Sequence, residues 1–405
     1  MVKDAAARTL PATMRTPTLS FASPLYLSSA LLALVLLACG SSSQSASVPD
    51  GGGPADSAQS AIDAPGEGAA QDSDVASGDS AMPEGGAADA APIVLNTPAD
   101  TWTWVDVPGA HCGDGSATGI GVNPHAGATH LLIYLQGGGA CFDAASCWGA
   151  NATASNMTGY GAADFANDVT KQLLIFQRGA AVGNPFADAD LVFVPYCTGD
   201  IHIGSLLASL TVNGAPKPTY FYGGRNVDVD LASLAISFKG LNHVWLSGVS
   251  AGGFGSFLNQ DFVARAFPGV PVDMIDDSGP AVDLPAPVTV IPWGVRLPPA
   301  CTGCTNLTEV FAFDRKTYPS SKYGLITYQT DTVLPSFFGV TEAQFATQIQ
   351  TFVSSLASDP NAKAFVALSS GHVVLAEQDT TAVPFILPWL TKMANDDPTW
   401  ANEQH

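Results

Sequence analysis

Short apolar runs rich in β-branched residues recur from residue 131 onward, at 131–135, 191–194, 244–246, 274–275, 324–328 and 364–368. Between several of them lie stretches with helical spacing, at 227–238, 254–267, 342–356 and 383–393. Runs that are apolar at every position, separated by helices, predict a largely parallel sheet covered by helices. Ligands of such sheets bind beyond the carboxyl ends of the strands, so the loops after each run become the place to look for chemistry. The segment 280–322 breaks the pattern. It is Pro-rich, carries Trp293, Arg296 and a Cys301-Thr302-Gly303-Cys304 pair, and has no clear period, which reads as an irregular, lid-like insertion beside the site. The folded part is therefore expected as one α/β domain over 93–405.

The chain before it has a different character. Residues 1–38 combine a basic start (Lys3, Arg8, Arg15) with an apolar run and end at Cys39-Gly40, which resembles a bacterial lipoprotein signal peptide whose cysteine, Cys39, is acylated after cleavage. Met14 is an alternative start that gives a more usual signal length. Ser28 and Ser29 keep the unbroken apolar run short of the ~20 residues a membrane span needs. Residues 39–92 are dominated by small and acidic residues with scattered Pro, and from 40 on they contain no aromatic residue, Lys or Arg. Such a stretch cannot bury enough apolar surface to offset its ordering entropy and is expected to be a disordered, self-repelling tether. The expectation is an exported monomer, lipid-anchored to the outer membrane or cell surface. The formal net charge of −21 argues against a nucleic acid partner.

Of seven cysteines, setting Cys39 aside leaves six, an even number that suits a compartment where disulfides persist. Cys141 and Cys147 flank a short loop, Cys301 and Cys304 form a tight pair, and by elimination Cys112 meets Cys197; other connectivities are open to six cysteines. A zinc reading of Cys301 and Cys304 is the weaker one, because no second C-x-x-C or paired His lies near. Neither a metal nor another cofactor is expected.

Gly248-Val249-Ser250-Ala251-Gly252 sits between a strand-like run and a helical stretch. In that setting a G-x-S-x-G holds the serine in a strained turn, because only glycines let strand and helix pass so closely. Ser250 is the expected nucleophile. It needs a base and an acid that orients the base, in the chain order Ser, acid, His. Two histidines follow Ser250. His405 is the last residue and is expected to fray, whereas His372 lies just after the run 364–368, where a base on a strand-end loop belongs. Asp331, one strand before the histidine, is preferred as the acid; Asp277, one strand after the nucleophile, is the rival, otherwise lining the pocket or fixing the turn at Ser278-Gly279. The loop Gln136-Gly137-Gly138-Gly139-Ala140 follows the run 131–135, and its amides at Gly138 and Gly139, with that of Ala251, are expected to form an oxyanion hole.

Several stretches together resemble the pectin acetylesterase family, to which the Notum carboxylesterases also belong. They are Cys112-Gly113-Asp114-Gly115-Ser116, Leu135 to Cys141, Asn184-Pro185-Phe186, Val194 to Asp200 with His202 and Gly204, Gly248 to Gly253, Asp277-Ser278-Gly279 and the strand ending in Asp331. The resemblance implies an α/β-hydrolase fold and hydrolysis of carboxylic esters, with Ser250, Asp331 and His372 at the triad positions. The choice of Asp331 over Asp277 rests partly on it. Many relatives carry an acidic residue where Gln136 stands and a large aromatic where Gly139 stands, which implies a more open pocket wall here.

The expected function is that of an exported serine carboxylesterase that removes O-acetyl groups from a polysaccharide such as pectin. The alternatives are a lipid or acyl-protein esterase, and a non-catalytic surface binding protein on a hydrolase scaffold. Tyr196, Asp200, His202, Asp277 and Trp293 are candidates for the pocket wall.

Overall fold

A computed structural model describes residues 91–169, 173–179, 183–284, 286–377 and 382–405. The signal-like segment 1–38, Cys39 and the tether as far as residue 90 lie outside the described residues. The strands in chain order are β1 Thr103–His111, β2 Ala117–Asn123, β3 His130–Leu135, β4 Asp190–Val194, β5 Leu206–Val212, β6 Ala215–Phe221, β7 His243–Val249, β8 Val272–Asp277, β9 Tyr323–Asp331, β10 Ala362–Gly371 and β11 Glu403–Gln404.

Nine of them form one sheet in the order β1-β2-β4-β3-β7-β8-β9-β10-β11, and β5 with β6 forms a separate hairpin. The pairs β1/β2 and β2/β4 are antiparallel, and every other pairing in the large sheet is parallel. The parallel strands are buried on both faces. In β3, Leu132 and Tyr134 pack into one core with Trp245, Ile326 and Phe365, while Leu131, Ile133 and Leu135 face the other side with Val192 and Leu246. Period-2 alternation thus sends apolar side chains to both faces, which is why these strands read as unbroken apolar runs. The helices cover both faces, and the architecture is that of an α/β hydrolase.

Several features differ from the sequence reading. The antiparallel strands β1 and β2 were not expected, because β1 is half-exposed and β2 contains Gly119 and Gly121, which look like loop residues. The glycines are there for space: a Cβ at 119 would lie 2.0 Å from Val105 O, and one at 121 would lie 2.1 Å from the Phe165 ring. The β5/β6 hairpin turns on Asn213-Gly214, both with positive φ (51° and 79°), an available turn signal masked by Pro216 and Pro218 in the following strand. The helical stretch 254–267 is two helices, Ala251–Leu258 and Gln260–Ala266, broken at Asn259, whose side chain donates to the carbonyls of His202 and Gly255. The insertion 280–322 contains the helix Leu307–Thr317, started by a capping box in which the Glu309 carboxylate accepts from the amides of Thr305 and Asn306.

His405 is not frayed. Its amide donates to Val366 O, its carbonyl accepts from Leu368 N, and its ring stacks 3.9 Å from Phe385. Pairing of β11 along β10 fixes it.

Candidate active site

Ser250 stands where β7 meets the helix Ala251–Leu258, with φ 55° and ψ −120°, a conformation an L-residue adopts only under constraint. The constraint is visible. A Cβ at 248 would lie 2.0 Å from Gly252 O, and one at 252 would lie 2.0 Å from Leu135 O, so both flanking glycines are required by close backbone approach. The Ser250 amide donates to Asp277 O at 2.7 Å, tying the turn to the end of β8.

His372 follows β10, and its Nε2 lies 2.7 Å from Ser250 Oγ while its Nδ1 lies 2.8 Å from Asp331 Oδ2. An ionised carboxylate can only accept, so Nδ1 carries the proton and Nε2 is left bare to accept from the serine hydroxyl. Asp331 ends β9, and register places it directly opposite Gly371 on β10. Its second oxygen, Oδ1, accepts from the amides of Val333 and Leu334 at 2.8 Å each, which fixes the carboxylate. Asp331 is buried, whereas His372 and Ser250 are half-buried and open toward solvent.

The glycine loop follows β3, whose Leu135 is opposite Gly248 in β7. Its proximity to the nucleophile is close: a Cβ at 137 would lie 3.0 Å from Ser250 Cβ. Gly139 has φ 75°, and a Cβ there would lie 1.9 Å from Thr153 O, so this position admits glycine alone. The amides of Gly138, Gly139 and Ala251 find no backbone acceptor among the described residues. Gln136 anchors the loop through Nε2 to Asp168 Oδ2 and through Oε1 from Tyr196 N. The Cys141–Cys147 disulfide closes the chain behind it, while Cys112–Cys197 and Cys301–Cys304 form the other two bridges.

A cavity opens at Ser250, walled by Gly139, Ala140 and Ala251 and by Phe142, Ile201, Phe254, Leu284, Trp293, Leu307, Leu334, Phe337 and Phe338. Apart from the serine hydroxyl and the indole N–H, no lining side chain is polar. Of the five residues expected on the pocket wall, only Trp293 is there. It stacks on Phe142 and donates its indole N–H to Cys141 O. Tyr196, Asp200, His202 and Asp277 are fully buried away from the cavity, because each has its polar atoms engaged in shaping loops. The Tyr196 hydroxyl accepts from Ile201 N, Asp200 accepts from Thr198 Oγ1 and Gly223 N, and His202 Nε2 lies 2.8 Å from Gln136 O. Burial holds the His202 imidazole down to about 4, so the ring is neutral and its Nε2–H donates to that carbonyl. Burial raises Asp200 to about 6 and Asp277 to about 7, against the hydrogen bonds that favour their anions. The apolar wall was not legible in the sequence. Its residues come from the glycine loop, the loop after β4, the helix Ala251–Leu258, the insertion and the helix Leu334–Phe338, which meet only in the fold.

Residues 100–289 match the pectinacetylesterase family. Palmitoleoyl-protein carboxylesterase NOTUM of Schmidtea mediterranea is 30% identical over 158 residues, covering 38% of this chain and 28% of that protein. The proteins of the same name from Mus musculus and Homo sapiens are each 28% identical over 176 residues, 42% of this chain and 33% and 34% of their own lengths. The chain thus spans about a third of the length of these relatives.

Proposed function

We propose, from the premise that residues 100–289 carry the pectinacetylesterase-family pattern, that the protein is a serine carboxylesterase. The observation that carries this reading is the unbroken hydrogen-bond chain from Ser250 Oγ through His372 to Asp331, at the ends of strands of one sheet. His372 takes the proton of Ser250 as Oγ attacks the ester carbonyl, and Asp331 supports the imidazolium. The amides of Gly138, Gly139 and Ala251 receive the oxyanion. His372 then gives its proton to the leaving alcohol and activates a water that releases the acid.

Two acyl groups divide the reading. Removal of O-acetyl groups from a polysaccharide such as pectin is one, in keeping with the family matched. A longer hydrocarbon acyl chain, on a lipid or a protein, is the second, and the apolar wall from Phe142 to Phe338 favours it, since a hydrocarbon loses contact with water there at no cost to any polar group. Three disulfides suit an oxidising compartment, in line with export; Cys39 as the lipid attachment point is carried by the sequence pattern of residues 1–40 alone.

Hydrolysis of 4-nitrophenyl acetate against the corresponding long-chain ester, by a soluble form starting near Ile93 and by its Ser250→Ala variant, tests both. Serine-dependent cleavage that prefers acetate supports deacetylation, and a long-chain preference supports the lipid or acyl-protein reading. Equal slow turnover by both proteins sinks the esterase and leaves a binding protein.

A further inference from the structure

Asp276-Asp277-Ser278-Gly279, at the end of β8, lies between the nucleophile and the base and touches both by separate atoms. Through its main chain it holds the serine: Asp277 O accepts from Ser250 N at 2.7 Å. Through its side chains it holds the loop after the histidine. Asp277 Oδ1 accepts from Val374 N at 3.1 Å, and Asp277 Oδ2 accepts from Leu375 N at 2.7 Å. The Ser278 hydroxyl is within hydrogen-bond reach of His372 O and of Asp277 Oδ1, and its single proton serves one of them at a time.

The turn itself is rigidly seated. Ser278 has φ 62°, a left-handed conformation uncommon for serine, and its amide donates to Ile326 O at 2.8 Å. The Gly279 amide donates to Asp276 Oδ1 at 2.7 Å, and a Cβ at 279 would lie 2.1 Å from Phe254 N, in the helix that Ser250 begins. Asp277 is wholly buried, where an unpartnered carboxyl is costly, and its carboxyl oxygens accept from the two loop amides that follow the base. It is not the acid of the triad, since His372 Nδ1 is on Asp331.

The geometry points to Asp277 and Ser278 as positioning residues for the reaction: one turn grips the nucleophile by its backbone and the base loop by its side chains, and so sets the separation of Ser250 and His372. This rests on the esterase reading above. Burial raises the Asp277 carboxyl to about 7, the hydrogen bonds from Leu375 N and Val374 N acting the other way. Misplacing a reacting pair by an ångström can cost about a hundredfold in rate.

The test uses the full chain with a soluble chromogenic ester and the variants Asp277→Asn, Ser278→Ala and Ser250→Ala. An asparagine keeps one acceptor oxygen, but its Nδ2 only donates, so Asp277→Asn leaves one of the two loop amides without its acceptor while keeping shape. The expected result is a kcat lowered about ten- to a hundredfold with KM within about twofold, at a temperature where circular dichroism shows the variant folded. The downfield proton resonance of the His372–Asp331 hydrogen bond should shift or broaden with it. A lower Tm with unchanged kcat per folded molecule and an unchanged resonance overturns the proposal, because a merely structural role predicts that. If Asp277→Asn does not fold, Ser278→Ala decides: a kcat loss of about threefold or more supports positioning, and a smaller one overturns it. An active Ser250→Ala protein sinks the esterase reading, and positioning falls with it. An inactive Ser250→Ala protein beside wild-type kcat in the other two sinks positioning alone.

Discussion

His372 Nε2 stands 2.7 Å from Ser250 Oγ although 122 residues separate them in sequence and β8 and β9 lie between their strands in the sheet. Three strand spacings are roughly 14 Å, so the loop after β10 has to fold back over two strand ends to bring the imidazole to the hydroxyl. Asp331 meets it on the way, at the end of the neighbouring strand β9.

Replacing Asp331 by Asn should lower kcat by roughly 10³- to 10⁴-fold with little change in KM, because the amide no longer fixes the proton on Nδ1. Steady-state kinetics with a short-chain ester, alongside Ser250→Ala, checks this. A loss under tenfold would mean that Asp331 does not orient the base.

Leu284 walls the cavity from the insertion and is only half-buried, so a larger side chain fits there with little damage to the core. Leu284→Trp should cut kcat/KM for long-chain esters at least about tenfold and leave the acetate ester near wild type. Equal effects on both chain lengths would show that the acyl group does not enter this cavity.

Burial lowers the His202 imidazole from 6.5 to about 4, the hydrogen bond to Gln136 O acting the other way. As pH falls below 6.5 the unfolded chain takes up the proton first, so stability from His202 is present above that pH and is lost down through about 4, by up to ~3 kcal/mol. Asp200 and Asp277, raised by burial from 3.8 to about 6 and about 7, run in the opposite direction: their share is fully present below 3.8 and shrinks as pH rises through those values. Urea midpoints between pH 7 and pH 4 should therefore fall more steeply for the wild type than for His202→Gln. Parallel slopes would exclude a neutral, buried His202.

Cys112–Cys197 closes a separation of 85 residues and Cys141–Cys147 one of 6. In the loop-entropy account, removing the first should cost about 4–5 kcal/mol and removing the second about 2 kcal/mol. Thermal unfolding of the paired Cys→Ala variants measures the difference, and a larger loss from the short loop would contradict the ordering.

The parallel strands, the turn at Ser250, the glycine loop and the strand-end place of His372 were legible because their signals are local. An apolar run, a G-x-S-x-G at a strand-to-helix junction and a G-G-G after a strand each restrict the backbone within a few residues. Strands β1 and β2 were missed where Gly119 and Gly121 looked like loop residues, and the helix Leu307–Thr317 was missed inside a Pro-rich segment despite its capping box. The break at Asn259 depends on the carbonyl of His202, which no local window contains.

By itself, then, the sequence determined where the serine turn, the glycine loop and the histidine loop stand at strand ends, because glycines and apolar alternation act on neighbouring residues. Only the tertiary structure decided between the two carboxylates. Sheet register sets Asp331 beside the strand that carries His372, whereas the Asp277 side chain is turned to the amides of Val374 and Leu375. It likewise decided that Tyr196, Asp200 and His202 serve loops and that the cavity wall is apolar, since burial and partner choice depend on residues far apart in the chain.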